Sequence, residues 1–424
     1  MAIIVALCMV VLVGFAGLAL DGGHLYVTKT ELQNAADACA LAASYELTGS
    51  PIEEGNFERA INAGSTVGTQ NRVDFQGGSI VPADIDVEFA SSLSGPWSSS
   101  GSGSSKYVRC TIVQDEIAPW FMQVLGFGNQ TVRAFATATL APSQSNCAIP
   151  MGLCTNGGTP PDYGYVKGQW YSMNFDESGS SVTGNFRWVD FDPSSETTGC
   201  PGGGAQELAC LFEKGGECSL PPQGPLTCSG ASPGNPISGC IGQTGSANSL
   251  QKAFNARFGI CQGGNCTNDE LRMSPPDFTG FAYNASTWQN PPPQNAYAGT
   301  YAGTLNFSSA RTSDQASYRQ VQEAEVPSGA KRASFDQMKQ FGADRRLVTV
   351  PLVECLPDFD KGQQAPIRGY ACVLLLEPYK KVGSNVIVSA EYLGRSNEPG
   401  SPCATSGAVG NSTSAGPLVP ALVQ

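Results

Sequence analysis

Fifteen cysteines, a single histidine and a few clustered acids are the residues of this chain whose types could do chemistry. In a reducing compartment so many thiols would suggest metal sites, which come as tight Cys-x-x-Cys pairs with further ligands nearby. No spacing here is Cys-x-x-Cys. The separations from Cys147 to Cys154, Cys200 to Cys210, Cys218 to Cys228 and Cys261 to Cys266 instead fit short disulfide-closed loops made in an oxidising compartment. The lone imidazole, His24, sits just past an uncharged run, where a Ser-His-Asp or Cys-His arrangement has no cleft to occupy. It reads as an ordinary interfacial side chain. Asp176 opens DESGS, an Asp-x-Ser-x-Ser pattern of the kind that holds metal ions in adhesion domains. That pattern should follow a buried strand and precede a helix, whereas YSMNF leads in and SVTGNF leads out, so a turn between strands is the better reading. Asp190, Asp192 and Glu196 offer hard oxygen ligands for Ca²⁺ but lack the glycine and spacing of an EF-hand loop. Neither GxxxxGK[ST] nor GxGxxG occurs, so nucleotide binding has no support. No catalytic residue, no metal site and no cofactor is expected.

The elements that must carry these residues begin with an unusual one. Met1–Leu20 contains no charged side chain, and as a helix it would cross roughly 30 Å of hydrocarbon. No basic residue precedes it and it exceeds the apolar core of a secretory signal, so the helix is expected to be retained. From Leu25 to Leu47 the apolar positions Leu25, Leu32, Ala36, Cys39 and Ala43 recur at helical spacing. Gly14-x-x-Gly17 and the dense alanines make a thin rod that neighbours can approach closely. Gly22 and Gly23 mark either a melted turn or residues tolerated in a helix held by its surroundings.

Further on, Pro51–Arg72 reads as a second helix, Ile117–Phe127 as a short apolar one, and 84–89, 106–113 and 130–140 as strands. Beyond Cys147 the chain is rich in turns and prolines. Strand-like runs there are Phe186–Phe191, Leu347–Val353, Tyr370–Leu376 and Asn385–Tyr392, and Arg395 onward reads as a tail. The expected fold class is α+β, with an N-terminal helix over residues 1–49, an α+β head over 50–144, a disulfide-rich β domain over 145–395 and a tail over 396–424. A chain of 424 residues has room for these units. Its 24 basic against 36 acidic residues give a net charge of −12, which repels phosphate backbones and disfavours a nucleic-acid partner. Only 14% of residues are charged while Gly (50) and Pro (29) are abundant, which suits a loop-rich extracellular protein.

The stretch LVGFAGLALDGGHLYVTKTELQNAADACALAAS, Leu12–Ser44, resembles the N-terminal segment of the TadE/TadG-like family of the Tad (Flp) pilus system, in its TadG type. The uncharged run, the Asp21-Gly-Gly step and ELQNAAD from Glu31 to Asp37 carry the likeness. Weaker echoes follow in APWFMQVLGF, TVRAFATATL, CAIPMGLC, GNFRWVDF, RRLVTVPLVEC and RGYACVLLLEP. The basic leader usual ahead of the apolar run in that family is missing from this sequence. The resemblance implies a pilin-like, non-enzymatic subunit of an extracellular filament on the bacterial cell surface, inserted in the inner membrane before assembly. Its partners would be copies of itself, through Ile3, Val5, Val10, Leu12, Gly14, Phe15, Gly17, Leu20, Leu25, Leu32, Ala36 and Ala43, and other Tad components. A membrane-anchored accessory pseudopilin that does not polymerise and an anchored metal-dependent adhesin are the alternatives.

The same resemblance frames the cysteines. Cys8 lies in the apolar run and is expected to stay unpaired. Pilin heads pack a sheet against the exposed half of the helix, so Cys39 either pairs with Cys110 or is buried as a small hydrophobe. Cys147, Cys154, Cys200, Cys210, Cys218, Cys228, Cys240, Cys261, Cys266, Cys355, Cys372 and Cys403 would staple the C-terminal domain.

Overall fold

The computed structural model describes residues 2–47, 54–155, 157–176, 182–191, 200, 205–218, 220–221, 224, 227–228, 237–243, 250–312, 320–355, 364–382, 385–410 and 414–424. The fold is α+β and divides into two units: Met1–Ala141 with Leu418–Gln424, and Pro142–Pro417.

The first unit is built on one helix, α1 (Ala2–Tyr45), with α2 (Glu54–Thr69), a short hairpin β1 (Arg72–Val73) and β2 (Gly78–Ser79), and the strands β3 (Ile85–Ala90), β4 (Tyr107–Ile117) and β5 (Gln130–Ser145). α1 runs unbroken through Gly22 and Gly23, two residues that cost about 1 kcal/mol each against Ala in a helix interior. Packing offsets that cost, because one face of α1 is buried from Gly17 onward: Gly17, Asp21, His24, Thr28, Leu32, Ala35, Ala36, Cys39, Ala40, Ala43 and Ser44. Those steps of three and four residues draw a single helical stripe.

β3, β4 and β5 pair antiparallel, with Val87 opposite Cys110 and Cys110 opposite Ala136. Their inward rows, Ile85–Val87–Phe89, Val108–Cys110–Ile112 and Ala134–Ala136–Ala138, join the α1 stripe in one core. The row on β5 is all alanine, which gives a wide helix room to lie close. α2 approaches closer still. A Cβ on Gly64 would stand 3.0 Å from Cys39 Sγ and 3.1 Å from Ala43 Cβ, so only hydrogen fits there. Cys39 and Cys110 are joined by a disulfide.

The second unit holds β6 (Met151–Cys154), β7 (Trp170–Asp176), β8 (Val182–Gly184), β9 (Phe186–Asp190), α3 (Ala205–Lys214), β10 (Cys240–Gln243), α4 (Leu250–Ala256), β11 (Ile260–Cys261), α5 (Asn268–Met273), α6 (Phe307–Thr312), β12 (Lys331–Arg332), α7 (Phe335–Phe341), β13 (Leu347–Val353), β14 (Gln364–Leu375), β15 (Lys380–Val382), β16 (Asn385–Arg395) and β17 (Ala404–Val409). Nine of these strands form one sheet in the order β10-β9-β6-β13-β14-β16-β7-β8, with β15 on β16. β10 also pairs with the start of β14, so β10, β9, β6, β13 and β14 form a closed circuit of pairings.

Every residue of β13, LVTVPLV, is buried, which matches a run apolar except for Thr349. Next to it, Arg346 is fully buried and donates to the carbonyls of Leu375, Leu376, Thr279 and Phe281 while lying over the rings of Phe258 and Phe307. Burial pushes its guanidinium down to about 10, which leaves it charged at neutral pH. Asp277 accepts from the backbone N–H groups of Arg345 and Arg346, and burial holds its carboxyl above the usual range.

Six disulfides staple this unit: Cys147–Cys218, Cys154–Cys355, Cys200–Cys210, Cys228–Cys240, Cys261–Cys266 and Cys372–Cys403. The short loops expected for Cys200–Cys210 and Cys261–Cys266 are present. Cys147, Cys154, Cys218 and Cys228 pair elsewhere. Cys154 ends β6, beside Val353 of β13 in a parallel register, and so meets Cys355 two residues further on.

Two local expectations differ from the structure. The apolar helix of Ile117–Phe127 is only a 3₁₀ turn, Met122–Leu125, bracketed by Pro119 and by Gly126 in the left-handed region (φ 84°). The residues read as a tail are also ordered into strands. β17 pairs with the end of β5, and Leu418–Leu422 pairs with β5 inside the first unit.

Candidate functional site

α1 has two halves with different surroundings. From Ile3 to Ala16, every side chain the structure describes is exposed except Gly14, which is half-buried with no other atom within 4 Å of where a Cβ would stand. Ile3, Val5, Leu12 and Phe15 are 78%, 58%, 64% and 69% exposed, far beyond what a water-facing helix carries. Val10 lies in the same helix by its backbone. Cys8 is exposed and unbonded among the described residues. Over Val11–Tyr45, α1 is long and apolar enough to cross a membrane by length and composition.

Cover begins at Gly17. A Cβ there would stand 3.0 Å from Cβ of Phe121, so the loop 118–127 lies directly on the helix at this level. One turn on, the carboxylate of Asp21 accepts from the backbone N–H groups of Trp120 (2.8 Å), Phe121 (3.1 Å) and Met122 (2.7 Å). It thereby takes up the donors that open the 3₁₀ turn and would otherwise be unpartnered. His24, almost fully buried, stacks on the Trp120 ring at 4.4 Å between centroids and on Phe75 at 5.6 Å. Its Nε2 lies 2.6 Å from Oδ1 of Asp74. Asp74, Phe75 and Gln76 all have positive φ (56°, 55° and 66°), a costly run for residues other than glycine. Glu31 holds that turn, accepting from the backbone N–H of Phe75 at 3.2 Å and from Nε2 of Gln76 at 3.0 Å.

Asp21, His24 and Glu31 are therefore fasteners. Each ties α1 to a loop of the same unit, and His24 also lines a groove with Asp74, Asp115 and Glu116. His24 lies inside the unbroken helix and is almost fully buried, and its cluster with two aromatic rings was invisible in sequence because Phe75 and Trp120 lie far along the chain. Of the twelve helix positions expected to meet other helices, Leu32, Ala36 and Ala43 are fully buried in their own head, and Leu25 is half-buried. The sheet and α2 already occupy that face, so it is closed to a neighbouring helix. Ile3, Val5, Leu12, Phe15 and Leu20 remain open.

The acidic candidates do not converge. Asp190 ends β9 and is engaged by other groups, only the backbone of Asp176 is described, and Asp192, Glu196 and residues 177–181 lie outside the described residues. No group of three metal-ligating side chains occurs among the described residues.

Residues 1–45 match the Tad family model, "Putative Flp pilus-assembly TadE/G-like". Over this segment the chain is similar to the TadE/G-like proteins of Tad pilus assembly. The matched residues are α1 itself, both its bare and its covered half. No curated protein and no solved structure matches the chain.

Proposed function

We propose that this TadE/G-like chain is a structural, pilin-like subunit of a Tad-type extracellular filament. The observation that carries the reading is the bare half of α1. About ten exposed apolar side chains on all sides of one helix cannot stay in water, at roughly 25 cal/mol per Å² of apolar surface. Lipid satisfies that surface before assembly, and the same half of neighbouring copies satisfies it afterwards, with Gly14 allowing close approach. The rest of the first unit acts as the pilin-like head, and the disulfide-stapled second unit is displayed outside for adhesion, with no enzymatic role and no cofactor. Other Tad components would deliver the chain from the inner membrane to the cell surface.

Cys8 supplies a native test, since it lies exposed on the bare half with no partner among the described residues. Mild oxidation of sheared fibres should link chains through Cys8, and Cys8→Ser should abolish the dimer. Fibres that lack the chain, or carry it once per fibre, would demote it to the accessory reading.

A further inference from the structure

The loop 118–127 has a composition its fold does not explain. Trp120, Phe121 and Phe127 are 53%, 40% and 53% exposed, although each could have been buried in a head of this size. Trp120 and Phe121 lie at one level of the helix, because Phe121 rests on Gly17 and Asp21 accepts from the backbone N–H groups of both. We propose that this loop is a membrane-seating surface, its aromatic side chains inserted at the bilayer interface so that the head rests directly on the lipid. The proposal rests on the reading of the bare helix as membrane-inserted before assembly.

Three observations point to lipid. The first is length. From Ala2 to Leu20 the helix measures about 28 Å at 1.5 Å per residue, close to the roughly 30 Å of a hydrocarbon core. If those residues fill the core, Asp21 stands at its boundary, and so does the loop that Asp21 grips. The second is side-chain type, since Trp and other aromatics with apolar bodies collect at that boundary. The third is the state of the backbone, which must be internally satisfied wherever water is scarce. Asp21 takes the N–H groups of Trp120, Phe121 and Met122, and the N–H of Phe127 donates to the Met122 carbonyl at 3.2 Å. Gln123 Nε2 donates to the Pro119 carbonyl at 2.6 Å. Asp74, Asp115 and Glu116 line one groove with His24 and Trp120, on the side of the loop that faces along the helix away from Leu20 to the level of His24. That places them among headgroups and water, and favours zwitterionic over anionic lipid.

The test uses the full chain in phosphatidylcholine vesicles carrying bromine either near the top of the acyl chains or deep within them. Trp120 is one of five tryptophans, so its signal is the difference between the wild type and Trp120→Phe, which keeps an aromatic ring over His24. Shallow bromine should quench the wild type more than deep bromine, and the excess should vanish in Trp120→Phe. Labelling of Cys8 with a membrane-impermeant maleimide reports the helix separately. Protected Cys8 with no quenching of Trp120 overturns the seating surface and leaves the inserted helix standing. Labelled Cys8 overturns both. A Trp120 left open in vesicles and shielded from an aqueous quencher only in assembled fibres overturns the lipid assignment and gives the surface to a neighbouring copy.

Discussion

Cys8 and Cys39 lie on the same unbroken helix and have opposite fates. Cys8 is exposed and unbonded, while Cys39 is sealed at 0% exposure and bonded to Cys110. Their immediate neighbours do not separate them, since Leu7 and Met9 flank one and Ala38 and Ala40 the other. What separates them is a sparse stripe of small and polar residues, Gly17, Asp21, His24 and Thr28, that engages loops of the head. A helix meant for lipid or for other helices needs nothing specific on its surface. A helix meant for a head needs acceptors, rings and missing side chains at defined steps. The boundary between the two halves is therefore marked by polar chemistry more than by apolar content.

The comparison breaks most visibly at the two cysteines. The Cys39–Cys110 bridge closes a loop with a sequence separation of 71, worth about 4 kcal/mol in the chain-entropy account. Cys39→Ser with Cys110→Ser should destabilise the first unit by that order in denaturant unfolding of the detergent-solubilised chain. Cys8→Ser should leave the same midpoint where it was, and equal shifts would mean that the two halves are not distinct. Leu12→Arg tests the other side. A charge near the middle of the bare half raises the insertion free energy by roughly 3 kcal/mol while touching no part of the head. Membrane fractionation should show the chain leaving the bilayer, with head unfolding unchanged.

Much of this division was legible in the sequence, and the reason is physical. Ile3 to Phe15 carry no charge, and Leu32, Ala36, Cys39 and Ala43 repeat at helical spacing, so both halves of α1 announce themselves by period and composition. Strands such as Leu347–Val353 are equally plain, because this fully buried strand is a run apolar except for Thr349. Contacts made at long range were not legible. Nothing near Asp21 says that it will hold three N–H groups about a hundred residues away, and nothing in Trp120 says that it will cover His24. The partners of Cys147 and Cys154 were hidden for the same reason, since sheet register decides them and not spacing. The tail was misread because Leu418–Leu422 looks like any short apolar segment until the open edge of β5 is known.

Asp21→Ala sharpens the boundary itself. It strands the N–H groups of Trp120, Phe121 and Met122 beside an apolar rod, where unpartnered donors cost more than the bonds contributed. A loss of about 2 kcal/mol is expected, with faster proteolysis within residues 118–127, and Asp21→Asn should retain part of the stability because one carbonyl oxygen still accepts. No loss in either variant would mean that the loop is held by Gly17 and His24 alone.

The smallest effect is expected at His24, where geometry separates two contributions. The ring stacks on Trp120 and on Phe75, which also stack on each other, and its Nε2 meets a half-exposed Asp74. His24→Phe keeps an aromatic ring in this cluster and removes only the polar contact, which is open to solvent on the Asp74 side and therefore weak. The change should stay under about 1 kcal/mol, since stacking of this kind contributes about that much and is preserved. His24→Ala removes both contributions and should cost more, with the excess over His24→Phe measuring the stack. If the two variants are equally damaging, the Asp74 contact and not the rings would be what fastens the strained turn to the helix.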